Sequence, residues 1–89
     1  MYTQWRLTFR DTGNTYEGRT PTEVLRRLSK EQFTPEAKQD IKKALSWRAW
    51  TLGHNLDETK DDESFLIDYA HTGLATLETR DRSGKWLTY

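Results

Sequence analysis

The chain has no cysteine, so neither a disulfide nor a thiolate metal site can staple it. No apolar run approaches the ~20 residues that span a bilayer. No apolar segment of the signal-peptide kind follows Met1-Tyr2-Thr3-Gln4-Trp5-Arg6. A soluble, cytoplasmic protein is the expectation. Aliphatic side chains are scarce: hydrophobic residues make up 34% of the 89 positions and charged residues 31%. Net charge is also lacking, at zero, which separates the chain from the highly charged composition of disordered segments. What is abundant is aromatic. Aromatics reach 12%, with four Trp, and large rings supply burial that few aliphatics cannot. A chain this short forms one small globular domain with a modest core.

The catalytic and nucleotide-binding motifs are missing too. There is no Gly-x-x-x-x-Gly-Lys-Ser/Thr, no Gly-x-Gly-x-x-Gly and no Gly-x-Ser-x-Gly elbow. The acidic run Asp57-Glu58-Thr59-Lys60-Asp61-Asp62-Glu63 lacks the spacing and central Gly of a calcium loop, and Lys60 interrupts it. It reads as a solvated connection that caps a helix, not as a metal site. His71 follows Asp68 by three residues, so the carboxylate could orient the imidazole for acid–base work. A histidine at a helix C-terminus is equally favoured by the macrodipole, and that reading is adopted. His54 lies in a loop. The expectation is a protein without enzymatic activity, cofactor or metal.

Hydrophobic periodicity divides the chain. Trp5, Leu7 and Phe9 alternate with Gln4, Arg6 and Thr8, the period of a half-buried strand. Asp11-Thr12-Gly13-Asn14 is turn chemistry, and Thr15 to Arg19 returns as a second strand. Thr20-Pro21-Thr22-Glu23 starts a helix with the stripe Val24, Leu25 and Leu28. Thr34-Pro35 starts another, predicted to run to Leu52 and stop at Gly53, with Ala37, Ile41, Ala44, Leu45, Ala49 and Leu52 inward. Asp61 or Asp62 caps a third helix, whose stripe is Phe65, Leu66, Tyr69 and Ala70. Leu74 to Thr79 and Lys85 to Tyr89 are final strands joined at Arg82-Ser83-Gly84. The order is β-β-α-α-α-β-β, an α+β fold with a small antiparallel sheet packed on helices. Local patterns leave open whether the two hairpins share that sheet.

The segment Phe65 to Leu74, followed by Leu77-Glu78, Asp81, Gly84 and Tyr89, resembles the close of a winged-helix domain. There a recognition helix precedes a hairpin wing, so the resemblance implies DNA binding. The helix itself carries Asp62, Glu63 and Asp68, which repel phosphates. Only Arg80, Arg82 and Lys85 on the hairpin have suitable charge.

The surface gives the functional expectation. Charge is segregated: residues 1–50 carry ten Lys and Arg against six Asp and Glu, whereas residues 51–89 carry four against eight. On the second helix Lys43, Trp47 and Trp50 fall together on the side away from Leu45 and Ala49. Such a basic-aromatic strip can stack bases or anchor a protein partner. Trp47 is expected to be buried beneath a hairpin, while Trp50 stays open between burial and exposure. Arg48 projects toward the apolar side, either snorkelling or pairing with an acid such as Asp68.

The reading is a small binding module acting by protein–protein contact, of the size and style of phage or mobile-element accessory and inhibitor proteins. Its partner surface is Lys43, Trp47 and Trp50, with Asp57, Glu58, Asp61, Asp62 and Glu63 engaging a basic partner. The alternative is nucleic-acid binding through Arg26, Arg27, Lys30, Lys42, Arg80, Arg82 and Lys85. A homodimer through a hairpin edge is a further possibility.

Overall fold

The computed structural model describes residues 2–32 and 34–89. The elements are β1 (Gln4–Phe9), β2 (Thr15–Gly18), α1 (Pro21–Lys30), α2 (Pro35–Gln39), α3 (Ile41–Thr51), α4 (Asp62–His71), β3 (Ala75–Arg80) and β4 (Trp86–Thr88). The fold is α+β, with a four-stranded antiparallel sheet in the order β2-β1-β3-β4. The two hairpins share this sheet because β1 pairs with β3 along its whole length, from Gln4 opposite Arg80 to Phe9 opposite Ala75.

Strand alternation decides which face is covered. Trp5, Leu7, Phe9, Tyr16, Ala75 and Leu77 are buried beneath the helices. They join Val24, Leu25 and Leu28 of α1, Leu45 and Ala49 of α3, and Phe65, Leu66 and Tyr69 of α4 in one core. Phe9 meets Tyr16 and Tyr69 edge-on, each at 5.9 Å between ring centres. The opposite sheet face is polar. There the Arg6 guanidinium forks onto Glu78 at 3.0 and 3.1 Å and lies 3.9 Å from the Trp86 ring centre. Arg80 donates to the Gln4 side chain and approaches the same ring at 5.0 Å.

The stretch from Pro35 to Leu52 is two helices, not one. Asp40 breaks it, at φ −136° and ψ 80°. Its N–H still donates to Glu36 O, closing α2, while its carboxylate accepts from Lys43 N at 3.1 Å and opens α3. A side chain that caps its own successor competes with helix continuation. The inward stripe is correspondingly shorter than expected: Leu45 and Ala49 are buried and Ile41 packs against the core, but Leu52 is 58% exposed. Leu52 is the C-cap of α3 and has left helical geometry, so it no longer shares the stripe. Gly53, at φ 88°, then closes the helix. Its N–H reaches Trp50 O and the next N–H reaches Ala49 O, the paired bonds of a Schellman motif.

Gly18 is required for a different reason. A Cβ there would lie 2.9 Å from both Val24 N and Glu23 Cβ, because the end of β2 sits directly against the first turn of α1. Gly18→Ala is therefore expected to cost about 1–3 kcal/mol by overpacking. Urea unfolding checks this, and an unchanged midpoint would contradict it.

Candidate functional site

α1 packs on β2 and β1, and α4 packs on β3, whereas α3 lies against α1 and α2. The side of α3 away from Leu45 and Ala49 is consequently left on the outside. Trp47 and Trp50 occupy it, 65% and 58% exposed. Burial of Trp47 under a hairpin is overturned, because both hairpins are consumed by one sheet that α1 and α4 cover. The two indoles stack on each other, with ring centres 5.1 Å apart and planes 26° from parallel.

The pair flanks a groove of about 480 Å³. α2 supplies Glu36 and Ala37, α3 supplies Lys43, Ala44, Ser46, Trp47 and Trp50, and the 54–60 connection supplies Asn55, Leu56 and Glu58. Thr34 and Asp40, the caps of α2 and α3, complete it. Lys43, Trp47, Trp50 and Glu58, singled out from the sequence, are thus brought together. Leu56 and Ser46 were not, and the Ser46 hydroxyl is buried without a hydrogen-bond partner among the described residues. No local signal marks Leu56, since its approach depends on the path of the connection.

Most of the remaining acidic segment is occupied internally. Asp57 accepts from both the N–H and the hydroxyl of Thr59, which hold its carboxyl below the usual carboxylate range. Asp61 is the cap of α4 and accepts from Ser64 N, with the same effect. Asp62 receives Lys42 Nζ at 3.1 Å and the Thr22 hydroxyl, tying α4 to α3 and α1. Glu63 is exposed in the first turn of α4.

Burial works against the charged form of Asp62, but the bonds from Thr22 and Lys42 outweigh it and the carboxyl lies below its ordinary range. A depressed folded-state pKa contributes stability above the unfolded value and loses it as pH falls through the folded one. Asp62 thus stabilises the domain above about pH 4 and ceases to do so in more acidic solution. Asp62→Asn is expected to cost about 1–3 kcal/mol at pH 7 and to flatten the loss of melting temperature below about pH 4. An acid-melting profile identical to that of the unsubstituted chain would contradict this.

Cations proposed for nucleic acid do not converge. Arg26, Arg27 and Lys30 lie on the exposed side of α1, with Arg27 3.3 Å from Glu23. Lys42 is held by Asp62 and the Lys60 carbonyl. Arg80 lies on the polar sheet face, and Arg82 and Lys85 lie in the β3–β4 turn, at the sheet edge away from α1. The closing hairpin is half of the sheet, since β3 is a central strand.

His54, His71 and Asp68 border one shallow depression. Asp68 is engaged by Lys60 Nζ at 2.8 Å, so the carboxylate three residues before His71 is already paired. Of the two readings of Arg48, the same pair removes the one that bridges it to Asp68. Arg48 instead snorkels along the core surface, 5.6 Å from the Phe9 ring centre. Among the described residues no group of three or more His, Asp or Glu could hold a metal ion, and no helix is long and apolar enough to cross a membrane.

No protein-family model matches the chain, and no curated protein or solved structure shows significant similarity to it.

Proposed function

We propose that this domain is a non-enzymatic binding module whose groove beside Trp47 and Trp50 receives a segment of a partner protein. The observation that carries this reading is the stacked indole pair, left more than half exposed in a chain that has few large apolar side chains to spare. Contiguous exposed apolar surface marks interaction sites, and Trp is enriched among residues that dominate binding energy.

The chemistry of the rim supports a partner of one kind. Glu36, Asp40 and Glu58 outnumber Lys43 around the groove. A segment with an apolar or aromatic anchor flanked by Lys or Arg complements it, because its cations meet carboxylates and indole faces. The same carboxylates disfavour a nucleic-acid backbone. An accessory or inhibitory role, in which the module engages a basic segment of a larger protein, is part of this proposal.

Selection from a random peptide display library against the intact domain tests the proposal. Peptides with an apolar anchor between basic residues should be enriched. Enrichment of acidic peptides, or of none, would overturn it.

A further inference from the structure

A second cavity, of about 510 Å³, lies where the turn after β1, the end of α3 and the end of α4 meet. Three apolar side chains wall it: Phe9, Leu52 and Leu74. Leu52 is the residue that left the helix stripe, and this cavity is where its exposed side chain stands. Tyr69 also borders the cavity. Its side chain is fully buried, yet its hydroxyl has no hydrogen-bond partner among the described residues. A buried hydroxyl without a partner is uncommon, because it forfeits the bond it made with water.

Arg48 stands beside it. Burial pushes the Tyr69 phenol up, and the positive charge of Arg48 opposes that shift, so the guanidinium is near the hydroxyl although the two do not form a well-aligned hydrogen bond. Arg48 takes part in none of the ion pairs among the described residues. The rim adds Arg10 and Asp11, and the Asp11 carboxylate already accepts from Thr12 N at 2.9 Å. One cation is thus in excess, next to an unused donor, above an apolar wall.

We propose that this cavity binds a small monocarboxylate with an apolar body. The carboxylate would take a bond from the Tyr69 hydroxyl on one oxygen and the Arg48 fork on the other, a charge-assisted arrangement. The body would lie against Phe9, Leu52 and Leu74. A phosphate dianion fits less well, because Phe9, Leu52 and Leu74 offer its further oxygens no donors and Asp11 repels a second negative charge more strongly than one. A cationic ligand meets Arg48 and Arg10. Arg48 is exposed on a long stem and can swing off the Phe9 ring to admit the ligand. This site is separate from the tryptophan groove.

The test uses ¹H–¹⁵N spectra of the intact domain titrated with 3-phenylpropanoate and hexanoate, each matched with its primary amide. The carboxylates should shift the backbone amides of Arg10, Leu52 and Leu74 with a Kd on the order of 1 mM, ordinary for ligands of this size. The neutral amides should bind at least about tenfold more weakly, since they lose the charge that Arg48 reads. Arg48→Gln should erase the preference for acid over amide, and Tyr69→Phe should weaken the acids about threefold or more. The inference is overturned if no carboxylate shifts these amides, if acids and amides bind alike, or if both variants bind the acids as tightly as the unsubstituted domain.

Discussion

Replacing Trp47 and Trp50 together by alanine should leave the domain folded and remove its capacity to bind a partner. The two indoles are 65% and 58% exposed and rest largely on each other, so truncation removes little area from the core. The stability cost is about 1 kcal/mol, the worth of one stacked pair plus partial burial. Binding is another matter. Trp side chains at the centre of an interface are each worth about 2–4 kcal/mol on truncation. Loss of both weakens an enriched peptide by at least about a hundredfold. Urea unfolding and a titration with that peptide measure the two quantities separately. A double variant that unfolds would place the indoles in the core, and one that binds undiminished would remove them from the site.

Phe65→Ala should behave in the opposite way. Phe65 is also aromatic, but it lies fully buried in α4, 6.5 Å from the Tyr69 ring centre, with Lys42 Nζ 5.6 Å from its own. Emptying such a position costs about 3–5 kcal/mol, the transfer of the ring plus the cavity it leaves. A domain of this length has roughly 4–13 kcal/mol to lose. The variant should therefore lose a large part of its stability and populate unfolded chains well below the melting temperature of the parent. Near-ultraviolet circular dichroism during thermal melting checks this. A melting temperature lowered by only a degree or two would mean that the core does not centre on α4.

What distinguishes these two aromatics was only partly legible in the sequence. Phe65 follows a cap at Asp61 and begins a clear stripe, so its burial could be read from spacing. Trp47 sits on a helix with apolar residues on two sides, and periodicity cannot say which side is covered. That depends on the pairing of β1 with β3, from Gln4 opposite Arg80 to Phe9 opposite Ala75, which uses both hairpins in one sheet and leaves neither to cover the far side of α3. Non-local pairing has no local signature. Periodicity hides the break at Asp40 because apolar positions continue on both sides of it, although an aspartate three residues before Lys43 is itself a capping signal. The competition for Asp68 was settled by Lys60, whose reach across the connection no spacing rule contains. At the candidate site the helix-borne members, Lys43, Trp47 and Trp50, followed from angle alone. Leu56 and Ser46 did not, one because it arrives on an irregular segment and the other because a mid-helix serine carries no distinguishing pattern.

The four tryptophans make the most direct measurement possible. Trp5 is buried in the core, Trp86 lies on the polar sheet face beneath Arg6 and Arg80, and only Trp47 and Trp50 border the groove. Each indole N–H gives its own ¹H–¹⁵N signal. On titration with a basic-flanked peptide selected on this domain, the signals of Trp47 and Trp50 should move together and saturate, while those of Trp5 and Trp86 stay in place. Saturable binding that leaves the Trp47 and Trp50 signals unmoved, or that moves Trp86 instead, would contradict the assignment of the groove as the binding site.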